Sequence, residues 1–122
     1  MTAVAAVVFT IAGLFLAAPS PASATAQACR DHTHAISGTD PNGHWPPYSY
    51  AVTTSYCNDI NVKVDRTEGV FTCFQPSSRP IYCNGRRTVY AGTWGLAATD
   101  VLDGTKFWLI FDSEGTTGVA AY

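Results

Sequence analysis

The stretch INVKVDRTEGVFTCF, residues 60–74, decides how this chain folds. Ile60, Val62 and Val64 alternate with Asn61 and Lys63, and a period of two with β-branched residues is a strand signal. DRTEG, residues 65–69, then reads as a hairpin turn closed by a glycine, and VFTCF, residues 70–74, as the return strand.

The same texture continues on both sides. Upstream, Tyr48, Tyr50, Val52, Thr54 and Tyr56 alternate with Ser49, Ala51, Thr53 and Ser55, which predicts a strand. Downstream, QPSSRP (75–80) is a breaker-rich loop, residues 81–83 pair back across it, and Asn84-Gly85 is a strong hairpin dipeptide. Residues 87–91 and 94–99 read as strands separated by Gly92, and Asp103-Gly104 marks a further turn. KFWLIFD, residues 106–112, is apolar on both faces, which suits a strand that is central or covered by a second layer. SEGTTG turns into a last short strand, residues 119–122. Helical periodicity is absent beyond the first 24 residues. Short strands at this spacing predict an all-β domain, a small antiparallel sandwich or barrel.

The beginning of the chain has a different character. Residues 3–18 form an uncharged apolar run, short for a membrane span and suited to the core of a signal peptide. Pro19-Ser20-Pro21 ends it, and Ala22-Ser23-Ala24 offers the small residues a signal peptidase reads. The expected organisation is a signal-peptide helix over 1–24, an extended arm and turn-rich loop over 25–47, and an antiparallel β-domain over 48–122. The expected location is extracellular.

A domain of this size buries only about two thirds of the surface its unfolded chain exposes, so covalent staples help. The four cysteines supply them, because an even count in an exported chain reads as two disulfides. Cys73 and Cys83 flank a short turn-rich loop, which favours that pair and leaves Cys29–Cys57 by elimination. A loop this short is worth roughly 3 kcal/mol in the chain-entropy account. With all four cysteines paired, none is left as a nucleophile. Net charge is −2 with no block of like charges, which disfavours nucleic acid and anionic membranes as partners.

Three constellations could carry function. All three histidines, His32, His34 and His44, fall in CRDHTHAISGTDPNGHW, residues 29–45. His-x-His on an extended segment places two imidazoles about 6.5–7 Å apart, so zinc or copper is the cofactor to test. The second constellation is aromatic. Trp45, Tyr48 and Tyr50 follow the turn-rich loop; aromatic faces stack on sugar rings, and tyrosine hydroxyls hydrogen-bond ligands. Trp45, between His44 and Pro46-Pro47, reads as the exposed member, whereas Trp94 and Trp108 lie in the most apolar strands and read as core. The third is the disulfide-closed loop, with Arg79 as its projecting residue, in the manner of an inhibitor's contact loop.

Catalytic sets are poorly supported. No G-x-S-x-G elbow is present, and both glutamates, Glu68 and Glu114, sit in expected turns. A set of Glu68, Arg86 or Arg87 and a histidine has no spacing logic behind it. The favoured expectation is therefore a secreted, non-catalytic binding domain. Its ligand would be an extracellular protein or polysaccharide, held by Trp45, Tyr48, Tyr50 and Arg79. A metal-binding protein or metal-dependent hydrolase using His32, His34 and His44 is the alternative, and a protease inhibitor or antagonist the third reading.

Overall fold

The computed structural model describes Gly13 and residues 21–122. Apart from Gly13, the apolar run read as a signal peptide lies outside the described residues. A helix, α1 (Pro21–Arg30), is followed by ten strands: β1 (Thr33–Ser37), β2 (His44–Trp45), β3 (Ala51–Val52), β4 (Ile60–Val64), β5 (Glu68–Gln75), β6 (Tyr82–Cys83), β7 (Arg87–Val89), β8 (Gly95–Ala98), β9 (Lys106–Phe111) and β10 (Thr117–Ala121). They form two sheets, antiparallel throughout. One has the order β1-β10-β4-β8. The other is built on β9, with β2 and β3 on one side and β5 on the other; β6 and β7 share the far edge of β5. Among the described residues no helix is long and apolar enough to cross a membrane.

The all-β expectation holds, and both expected disulfides, Cys29–Cys57 and Cys73–Cys83, are formed. Period-two alternation builds the core. Ile60, Val62 and Val64 of β4 face Val70 and Phe74 of β5 and Phe107, Leu109 and Phe111 of β9, all buried in one cluster. β9 is central in its sheet, as its two apolar faces predict.

The 65–69 segment is not a hairpin. β4 lies in one sheet and β5 in the other, so the chain crosses the sandwich there. Both strands have a face to bury, and the two faces pack on each other rather than lying side by side. The crossings at 65–67 and 112–116 are tied together. Glu68, itself buried, accepts hydrogen bonds from Ser113 Oγ (2.8 Å) and Thr116 Oγ1 (2.6 Å). Thr117 Oγ1 donates to Asp65 (2.6 Å), and Gly69 N donates to Asp112 (2.9 Å).

Asn84-Gly85 is also not a hairpin turn. Cys83 is opposite Cys73 and Asn84 N donates to Thr72 O (2.8 Å), but Arg87 is opposite Val70. Gly85 and Arg86 therefore stand against Phe71 alone, which is a β-bulge within one edge strand. The bulge aims Arg86 across Gly69, where any side chain would collide with the guanidinium, and into an ion pair with Asp112.

The arm expected over 25–47 is structured. Its start belongs to α1, and it supplies β1 and β2, one to each sheet. The long strand expected over 48–56 shrinks to β3, because Pro46-Pro47 and a left-handed Tyr48 (φ 54°) interrupt it. Part of the outer face of the first sheet, around Asn61 and Ala121, is covered. Cys29, Cys57 and Ala121 form a satellite cluster with Trp94 packed against it. Asn61 Nδ2 donates to Cys29 Sγ (3.3 Å), and Arg30 and Lys63 lie 5.5 and 5.3 Å from the Trp94 ring.

Two measurements check these ties. Glu68→Ala leaves the Ser113 hydroxyl without its acceptor and should lower stability by about 1–3 kcal/mol in urea melts while the fold is retained. The Asp112 carboxyl is held below its ordinary range chiefly by the Arg86 hydrogen bonds, with burial opposing and the Gly69 N–H assisting. A depressed carboxyl stabilises the fold fully above its unfolded pKa, and that share is lost as pH falls through the folded value. Asp112→Asn should therefore be less stable at neutral pH and lose less stability on acidification than the wild type.

Candidate functional site

The DPNGH turn organises the exposed face of the second sheet. Asp40 Oδ1 accepts from the main-chain N–H of Asn42 (2.9 Å) and of His44 (3.1 Å), an Asx-type turn of the kind its composition predicts. Gly43 is needed in it: its φ is +79°, and a β-carbon there would run into the Phe111 carbonyl. Burial pushes the Asp40 carboxyl up, but the His44 and Asn42 N–H groups, the His44 charge and the Tyr48 main chain outweigh it and hold it below the ordinary range. The His44 ring stands beside this carboxylate, Nδ1 to Oδ2 3.9 Å. One buried acid thus positions both His44 and the backbone leading to Tyr48.

Strand register settles which side chains share the outer face. Phe107, Leu109 and Phe111 point inward, so Lys106, Trp108 and Ile110 of β9 point outward. Ile110 is opposite His44 and Phe71; Trp108 is opposite Cys73. Tyr48 and Tyr50 flank this row from the 46–50 loop. His44, Tyr48, Ser49, Tyr50 and Trp108 line a shallow dish of about 310 Å³. Tyr48 is 82% exposed and Tyr50 47%, with Trp108 and His44 half-buried. Lys106 Nζ lies 4.7 Å from the Tyr50 ring centroid, a cation–π contact that steadies the ring.

Beyond Lys106 opens a larger cleft of about 680 Å³ at the end of the sandwich. One wall is the loop closed by Cys73–Cys83, which carries Arg79; the other is the 99–105 loop. The second wall is pinned. Thr53 Oγ1 donates to Leu102 O (2.5 Å) and accepts from Thr105 N (2.8 Å), while Asp100 N donates to Asp59 (3.0 Å).

The residues singled out from the sequence separate here. Tyr48 and Tyr50 are exposed and adjacent. Arg79 is exposed but lines the cleft rather than the dish. Trp45, expected to be exposed, is only 6% exposed and sits in the core, edge-on to Tyr122 at 6.1 Å between centroids. The reason is strand parity. His44 faces outward, so its neighbour on β2 must face inward. Trp108 is the opposite correction: expected in the core, it lies on the outer face, where its alternation with Phe107 and Leu109 places it. Trp94 is likewise only half-buried, outside the main core.

The three histidines do not converge. His32 stacks on Tyr56 (3.6 Å between centroids), His34 stacks on Tyr122 (4.4 Å), and His44 faces Asp40. His34 shares the inner side of its strand with Ile36, whereas His44 points out of the other sheet. Among the described residues no group of three metal-ligating side chains is assembled. The set of Glu68, Arg86 and a histidine is not assembled either, since Glu68 is held by Ser113 and Thr116 and Arg86 by Asp112.

Comparison of the chain with protein-family models, with curated proteins and with solved structures finds no match. The geometry alone therefore supports the functional reading. Trp45→Ala should cost about 3–5 kcal/mol, as for a large core aromatic. Tyr48→Ala should change stability by no more than about 0.5 kcal/mol. Paired denaturant melts of the two variants check both.

Proposed function

We propose that this protein is a secreted, non-catalytic binding domain whose ligand is an extracellular polysaccharide. The observation that carries the reading is the aromatic dish on the outer face of the second sheet. On the first sheet the Cys29–Cys57 cluster and Trp94 cover the outer side around Asn61 and Ala121. The second leaves Tyr48, Tyr50, Trp108 and His44 open to solvent. Such a surface is apolar in its ring faces and polar at its tips, which matches the axial C–H and hydroxyl groups of a sugar ring. Its shallow form suits a ring lying flat rather than a small molecule engulfed in a pocket. A disulfide-stapled all-β scaffold is at home in an oxidising, extracellular setting, which supports export.

The experiment is affinity electrophoresis of the wild type against immobilised polysaccharides, including β-1,4-glucose, β-1,4-N-acetylglucosamine and α-1,4-glucose polymers. At least one should retard the protein. Tyr50→Ala and Trp108→Ala should each weaken that binding about tenfold, equivalent to roughly 1.4 kcal/mol, with unchanged melting. Absence of retardation on every polymer, or retardation untouched by both substitutions, overturns the reading.

A further inference from the structure

The dish and the cleft adjoin at Lys106, whose side chain borders both: its Nζ lies over Tyr50, and it lines the cleft. We infer that the two form one continuous groove, which takes an internal stretch of a neutral polysaccharide chain rather than a chain end or a single sugar. This inference rests on the polysaccharide reading above and adds the length and charge of the ligand.

Length follows from the layout. From the row of His44 and Ile110 to Lys106 the groove already runs four residues along β9, about 13 Å at the rise of a strand. The cleft then continues with more than twice the volume of the dish, about 680 Å³ against about 310 Å³. A single sugar on Tyr50 and Trp108 leaves that cleft unused, whereas a chain crossing Lys106 fills it.

Charge follows from the lining. The cleft holds two cations, Arg79 and Lys106, and two anions, Asp100 and Asp103, so it has no net sign. Among the described residues none of the four is in an ion pair, so their donors and acceptors are not taken up by one another. Gln75, Ser77 and Asn84 add neutral donors and acceptors. A polyuronate would bring carboxylates against Asp100 and Asp103, and a polyamine would bring cations against Arg79 and Lys106. A neutral, hydroxyl-rich chain meets both kinds of wall without like-charge contact. Both walls are held before binding, one by Cys73–Cys83 and the other by Thr53 and Asp59, so little ordering cost remains for the protein.

Calorimetric titration of the wild type with oligomers of the polymer that binds best, from disaccharide to hexasaccharide, tests this. Affinity should rise about tenfold or more with length. A Gln75→Ala, Asn84→Ala double variant should lose that rise and keep wild-type affinity for the disaccharide. A polyuronate should compete poorly. Affinity that is flat beyond the disaccharide, or a rise untouched by the double variant, overturns the continuous groove while sugar binding at the dish stands. Stronger binding of the polyuronate than of the neutral chain overturns the neutral assignment. Binding of no sugar polymer at all overturns the polysaccharide reading itself, and the groove with it.

Discussion

The inner faces of the two sheets bury one another, and nearly everything else in the molecule follows from that contact. Ile60, Val62 and Val64 present one apolar face, and Phe107, Leu109 and Phe111 present the other. Each strand needs a facing layer more than it needs its sequence neighbour as a ladder partner. The chain accordingly changes sheet at β1–β2, β3–β4, β4–β5, β7–β8, β8–β9 and β9–β10. Among the described residues only β5 and β6 are joined as a simple hairpin, and a disulfide closes it. Crossings of this kind leave main-chain groups at both ends of the sandwich without ladder partners. The polar side chains of the crossing segments supply partners: Asp112 for the Gly69 N–H, and Thr53 for the Thr105 N–H.

Closing the sandwich makes its two outer faces unequal. The Cys29–Cys57 bridge brings the end of α1 onto the first sheet, where the cations of Arg30 and Lys63 both lie over the Trp94 ring. On the second sheet the outward positions of β9 are Lys106, Trp108 and Ile110, the last two half-buried. The Asp40 turn fixes the approach of the 46–50 loop, so Tyr48 and Tyr50 stand beside Trp108 rather than continuing as a strand. The aromatic dish is thus assembled by a buried carboxylate, a glycine with positive φ and strand parity, and not by any contiguous motif.

The legible parts of the sequence were those governed by local chemistry. Alternation in residues 60–64 and 106–111 marked two core strands, the breaker-rich loop pointed to Cys73–Cys83, and DPNGH announced a turn. The readings that failed needed partners the sequence does not name. DRTEG has hairpin composition, yet its flanking strands belong to different sheets. Asn84-Gly85 has hairpin composition, yet it is spent as a bulge that aims Arg86 at Asp112. Trp45 and Trp108 exchanged expected places because local apolarity says that a strand has two faces and not which of them looks inward.

By itself the sequence determined the class of fold, the positions of most strands and the two covalent staples. Period-two patterning, turn residues and cysteine spacing are properties of short stretches of chain. Tertiary structure alone decided which strands pair, which aromatic residues reach solvent and that the histidines stand apart. Those outcomes depend on the facing of one sheet against the other, and a shift of one residue in parity would exchange core and surface along a whole strand.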